Sequence, residues 1–393
     1  MARSSSSPTA RLPLPLLVLL LCLSSLSMAA AQKYNAVYSF GDSITDTGNL
    51  CTNGRPSAIT FTQPPYGETY FGSPTCRCSD GRVIVDFLST KYGLPFLPPS
   101  KSTSADFKKG ANMAITGATA MDAPFFRSLG LSDKIWNNGP ISFQLQWFQT
   151  ITSSVCGSSC KSYLANSLFI FGEFGGNDYN AMLFGNYNTD QASTYAPQIV
   201  DTIGAGVEKL VAMGAVDVVV PGVLPIGCFP IYLTIYGTSS AADYDALGCL
   251  KKFNDLSTYH NSLLQAKVTS LQAKYKSARI MYADFYAGVY DMVRSPSKYG
   301  TRGSARCSRR AAGRGEASTT TPTARGAACR APPPAPARRR TSAGTASTSP
   351  RPRTSRSPTD GSTAPSATPA SPTSQPLPLA DQPAHASRPW IHH

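Results

Sequence analysis

The chain contains no Cys-x-x-Cys pair, and only four histidines stand among its 393 residues. Its close cysteine pairs, Cys76-x-Cys78 and Cys156-x-x-x-Cys160, have no histidine nearby. That spacing does not fit a zinc site, and no metal or organic cofactor is expected. Apolar runs are scarce too. Beyond the N-terminus no stretch reaches the ~20 apolar residues that cross a bilayer, so no transmembrane segment is expected. No Asn-x-Ser/Thr acceptor follows residue 31, and N-glycosylation is not expected.

Acidic residues are few, 22 against 36 Lys and Arg, for a net charge of +14. The excess is unevenly placed. Residues 301–393 hold 14 Arg, no Lys and 3 acidic residues, a net of +11, which leaves +3 for residues 1–300. The body is nearly neutral, so no nucleic-acid partner is expected.

The N-terminus reads as a targeting segment. Arg3 and Arg11 precede or flank an apolar stretch from Leu14 to Leu23, with Pro13 and Pro15 at its start. Ala29-Ala30-Ala31 offers a cleavage site, so residues 1–31 are expected to be a secretory signal. The product is then secreted, to the extracellular space or cell wall, where disulfides persist. Seven cysteines lie in the body: Cys51, Cys76, Cys78, Cys156, Cys160, Cys228 and Cys249. An odd number leaves at least one free or paired elsewhere.

Residues 32–300 read as one domain. Strands are predicted at Val37–Phe40, Ala111–Ile115, Leu168–Phe171, Val216–Val220 and Ile280–Tyr282. Ile199, Ile203, Val207, Leu210 and Val211 recur at helical spacing between the third and fourth. Phe253, Leu256, Leu263, Leu264 and Val268 do so less regularly between the fourth and fifth. Strands alternating with helices predict a three-layer α/β/α sandwich with a parallel sheet, whose chemistry gathers at the carboxyl ends of the strands. Residues 301–393 change character. Rich in Arg, Ala, Pro, Ser and Thr, and without Lys, Tyr, Phe, Met or Val, they predict a disordered tail.

Three strings carry the chemistry. Val37-Tyr38-Ser39-Phe40-Gly41-Asp42-Ser43-Ile44-Thr45-Asp46-Thr47-Gly48-Asn49 reads as strand, glycine turn, then helix, placing the Ser43 hydroxyl near a helix N-terminus. Alone, Gly-Asp-Ser is an ordinary surface turn. Gly110-Ala111-Asn112-Met113-Ala114-Ile115-Thr116-Gly117-Ala118 follows in order, then Phe171-Gly172-Glu173-Phe174-Gly175-Gly176-Asn177-Asp178-Tyr179. Together they resemble the first three signature blocks of the plant GDSL esterase/lipase family of the SGNH hydrolase superfamily. Pro221-Gly222-Val223-Leu224-Pro225-Ile226-Gly227-Cys228 is also similar to a plant-family segment. The resemblance covers residues 33–300 and implies the flavodoxin-like SGNH hydrolase fold.

The resemblance further implies ester hydrolysis through an acyl-enzyme. Ser43 would be the nucleophile, and the Ser43 N–H, the Gly117 N–H and the Asn177 side-chain amide would form the oxyanion hole. Fixed neutral donors suit that role, because negative charge develops on the carbonyl oxygen. Small-molecule or cell-wall esters would be the substrates. The same site would serve acyl transfer to an alcohol.

A serine also needs a base. The family's base is a histidine three residues after an aspartate, in a Trp-Asp-Gly-Ile-His-like string near the C-terminus. None of His260, His385, His392 and His393 has an aspartate three positions before it. His260 reads as a helix-surface residue, and the other three lie in the tail, so neither the triad Asp nor the triad His is identifiable. The tail suggests why. One nucleotide string encoding Gly344 to Thr354, read one letter out of phase, gives Trp-Asp-Gly-Ile-His-Leu-Thr-Glu-Ala-Ala-Tyr. A frame slip between Gly300 and about Arg310 would therefore have hidden the block. Read literally, the chain would be a weak esterase or a non-catalytic secreted remnant that binds acyl or acetylated ligands. An Arg-rich tail that binds acidic wall polymers explains its composition less well than shifted translation does.

Overall fold

The computed structural model describes residues 33–52, 60–136 and 139–299. The expected signal segment 1–31 and the expected disordered tail 301–393 lie outside these residues.

Five strands form one sheet: β1 (Val37–Phe40), β2 (Gly110–Asn112), β3 (Leu168–Phe171), β4 (Asp217–Pro221) and β5 (Arg279–Ala283). Their order is β2-β1-β3-β4-β5, and every pairing is parallel. The principal helices are α1 (Ile84–Lys91), α2 (Ile141–Val155), α3 (Gly176–Phe184), α4 (Ala196–Met213), α5 (Lys251–Lys274) and α6 (Phe285–Arg294).

Strand residues alternate between two cores. Tyr38, Phe40, Phe169, Phe171, Val218, Val220 and Ile280 join α2, α4 and α5 in the larger one. Val37, Leu168 and Ile170 join Val85 of α1 in the smaller one, with Val219 at its margin. The expected α/β/α sandwich is therefore present. The larger core is built by α4, where Ile199, Ile203, Val207 and Leu210 are all buried, and the helix stops where Gly214 turns left-handed at φ 116°.

The smaller layer thins toward β5. Met281, opposite Val219 in the β4–β5 register, is 41% exposed. Elsewhere, α6 buries none of its residues despite Phe285, Tyr286, Val289, Tyr290, Met292 and Val293, and its Tyr290 hydroxyl donates to Asp245 at 2.9 Å.

Two predicted elements differ. The second strand is expected through Ile115 but ends at Asn112. Hydrogen bonds to the first segment continue, from the Met113 N–H to the Ser39 carbonyl at 2.7 Å and the Ile115 N–H to the Gly41 carbonyl at 3.2 Å, while the Asn112 side chain accepts from the Ala114 N–H at 2.9 Å and donates to the Thr45 carbonyl. No regular helix follows Ser43. Residues 42–46 form a turn in which Thr45 and Asp46 N–H groups donate to the Asp42 carbonyl, at 3.2 and 2.9 Å. The carboxylates of Asp42 and Asp46 then take the N–H groups of Ile44, Gly48 and Asn49, so side chains satisfy the donors a helix would have used.

Disulfides join Cys51–Cys76, Cys156–Cys160 and Cys228–Cys249, and Cys78 is free among the described residues.

Candidate active site

Because β2, β1 and β3 are neighbours and parallel, the three signature segments leave the sheet side by side at its carboxyl edge. Polar side chains, two of them fully buried, then tie the three together.

Asp46, fully buried, links the first segment to the second. Its Oδ2 accepts the Thr116 N–H at 2.9 Å and the Thr116 hydroxyl at 3.1 Å, while Oδ1 accepts the Gly48 and Asn49 N–H groups at 2.7 Å. Asp178, also fully buried, links the third segment to the second through the N–H groups of Ala120 and Met121, at 2.8 and 2.9 Å. Asn177 closes the triangle. Its Nδ2 donates to Asp42 Oδ2 at 2.8 Å and to the Ala118 carbonyl at 2.9 Å.

The three implied residues are thus brought together. Ser43 is half-buried at the tip of its turn. Among the described residues its hydroxyl and its N–H meet no hydrogen-bonding partner, and neither does the Gly117 N–H. Gly117 has φ +79°, and a Cβ there would stand 3.0 Å from the Trp136 ring, so both backbone and space require glycine. Asn177 lies in the first turn of α3, one residue after Gly176. The helix that begins beside these residues belongs to the third segment, not to the one that carries Ser43.

Burial governs the electrostatics. Asp42 and Asp178 are each pushed up to about 7 by desolvation. Burial also raises Asp46, and raises Glu173 well above the usual carboxylate range. The Glu173 Oε1 accepts the Gly176 N–H at 2.9 Å and so holds the start of α3.

His260 is not on the helix surface. It is fully buried on α5, with Nδ1 2.8 Å from the Tyr179 hydroxyl and its ring against Gly175, where a Cβ would meet Cε1 at 2.8 Å. Burial lowers it to about 3, and its Nε2 has no partner among the described residues. On α5 it lies between Leu256 and Leu264, one turn to either side and both buried, and Gly175 leaves a hollow into which the ring packs. The other three histidines lie outside the described residues.

Asp46, Asp178 and Gln144 were not singled out from sequence, although the two carboxylates stand inside the signature strings. A polar cleft of about 370 Å³ opens beside Thr47, Gly48, Thr52, Lys101 and Ser102, and none of the three implied residues lines it.

Residues 37–326 match the model of the GDSL-like lipase/acylhydrolase family. The chain belongs to that family. The GDSL fold class and a hydrolase-type function at family level follow. A GDSL esterase/lipase of Arabidopsis thaliana is 39% identical over 293 residues, 72% of this chain and 79% of its own. A second from the same plant is 40% identical over 305 residues, 76% of this chain and 75% of its own. The sinapine esterase of Brassica napus is 39% identical over 282 residues, covering 70% and 72%. Small esters are the substrates such a family implies. No helix among the described residues is long and apolar enough to cross a membrane.

Proposed function

We propose that this GDSL protein is a secreted carboxylic ester hydrolase that works through an acyl-enzyme on Ser43. The observation that carries the reading is the Asn177 amide, which bonds the neighbour of Ser43 and the neighbour of Gly117 at once. Ser43 attacks the ester carbonyl and the alcohol leaves. The N–H groups of Ser43 and Gly117, with the Asn177 amide, hold the oxyanion, and water then releases the acid. Secretion is supported by the leader-like residues 1–31 and by three disulfides.

The base and its carboxylate belong to the out-of-frame block. Support comes from the exposed Met281 and the unburied apolar residues of α6, which a further amphipathic segment would cover. The buried, neutral His260 favours one other reading, a non-catalytic ligand-binding remnant. A chromogenic short-chain ester separates the two, with Ser43→Ala as control. Turnover by the chain that disappears in Ser43→Ala supports the hydrolase. Turnover that survives the substitution removes Ser43 as nucleophile. Sequencing the transcript across codons 300–310 separates an error in the gene sequence from a real frame mutation, and an uninterrupted frame matching the chain would end the error reading.

A further inference from the structure

Outside the signature segments, one buried side chain grips the root of the Ser43 turn. Gln144, in the first turn of α2, is fully buried. Its Oε1 accepts the Gly41 N–H at 2.9 Å, and its Nε2 donates to the Gly41 carbonyl at 2.8 Å and the Gly139 carbonyl at 2.9 Å. One side-chain amide therefore pairs with both polar groups of a residue 103 positions away.

Gly41 needs such a grip. Its φ is +136°, and a Cβ would meet the Gly172 carbonyl oxygen at 2.8 Å and Thr45 Oγ1 at 2.9 Å, so no other residue fits. A glycine is free to rotate where other residues are not. The dihedral angles of Gly41 set the direction of the Asp42–Ser43 peptide, and with it the aim of the Ser43 N–H and hydroxyl. A neighbouring apolar core, with Leu145 and Phe148 on the same helix, would accept a leucine at this position. An amide there is costly to bury unless its groups are paired, and both ends of Gln144 are.

We infer that Gln144 is a positioning residue for Ser43, acting through Gly41 and touching no substrate. The inference rests on the assignment of Ser43 as nucleophile. A displacement near 1 Å at a reacting group can cost ~100-fold in rate. Gln144→Leu is therefore expected to lower kcat by ~100-fold with KM little changed.

Turnover is measured on the chain as it stands and on one with a single nucleotide inserted between codons 300 and 310, each against its own Ser43→Ala control. If neither exceeds its control, the hydrolase reading falls and the inference with it. If the parent turns over and a folded Gln144→Leu matches it, the inference is overturned while the hydrolase reading stands. Should Gln144→Leu fail to fold, Gln144→Glu decides. Protonated, a glutamic acid can still accept from the Gly41 N–H and donate to its carbonyl; ionised, it faces two carbonyl oxygens without a donor. The ratio of Gln144→Glu to parent kcat, per folded molecule, is expected to fall as pH rises. A ratio flat with pH overturns the inference.

Discussion

Asn177 spends both of its amide hydrogens, one on Asp42 Oδ2 at 2.8 Å and one on the Ala118 carbonyl at 2.9 Å. To serve an oxyanion, the amide must release one of them. Above about pH 7, where Asp42 is ionised, the bond to the neutral carbonyl is the weaker of the two, since hydrogen bonds to ionised groups are roughly twice as strong as neutral ones. The Asp42 bond then keeps the amide oriented. Asn177→Ala is expected to lower kcat by a factor corresponding to ~3 kcal/mol. A kcat within tenfold of the parent contradicts the role.

Asp46 joins the nucleophile turn to the peptide just before Gly117. Asp46→Ala leaves the N–H groups of Gly48, Asn49 and Thr116 without their acceptor, and each orphaned donor costs about 1–3 kcal/mol. Urea denaturation should show a loss of at least about 3 kcal/mol. Asp46→Asn, which keeps one acceptor oxygen, should lose less.

The buried carboxyls set a pH dependence. Asp42 and Asp178 sit near 7 in the folded chain and, as ordinary aspartates, near ~3.9 when unfolded. The folded state thus holds protons that the unfolded state has released. Each group stabilises fully below ~3.9, and the contribution is lost as pH rises through about 7. His260 opposes this, because its folded value of about 3 lies below the ~6.5 of the unfolded ring, so its contribution fades as pH falls. Two carboxyls outweigh one imidazole, so the urea midpoint should fall between pH 5 and 8. Asp178→Asn should flatten that slope. A midpoint rising with pH contradicts the burial account.

His260→Leu tests the place given to that ring. It leaves the Tyr179 hydroxyl without its partner and should destabilise the fold by about 1–3 kcal/mol. Ring NMR signals of His260 should show no titration between pH 5 and 8, and the pH profile of turnover should not change with the substitution. A His260 that titrates near 6.5 would return it to the list of candidate bases.

The Cys51–Cys76 bridge closes a 25-residue span beside the Ser43 segment, and loops of that size contribute ~3 kcal/mol when cross-linked. Replacing both cysteines by serine should lower the melting temperature. An unchanged melting temperature contradicts a structural disulfide.

The sheet was legible because Val37–Phe40 and Leu168–Phe171 are short, fully buried apolar runs, and these two strands match their expected bounds. The carboxyl-edge position of the site followed from that order. The turn after Ser43 was misread because Asp42 and Asp46 take backbone donors themselves, and helical spacing does not reveal this. His260 was misplaced because its polar neighbours Asn261 and Ser262 suggest a surface, although Leu256 and Leu264, one turn to either side, put it on the buried stripe that meets Gly175. Gln144 carried no signal at all, since its partner is a main-chain glycine far away in sequence.

The central claim is that Ser43 is the nucleophile of half an active site whose other half is encoded one nucleotide out of phase. Ester turnover by the chain with one nucleotide inserted between codons 300 and 310, beside the same chain carrying Ser43→Ala, tests it most directly. The account predicts turnover that the insertion raises well above the uninserted chain and that Ser43→Ala abolishes. An insertion that changes nothing, or turnover that persists without Ser43, would contradict it.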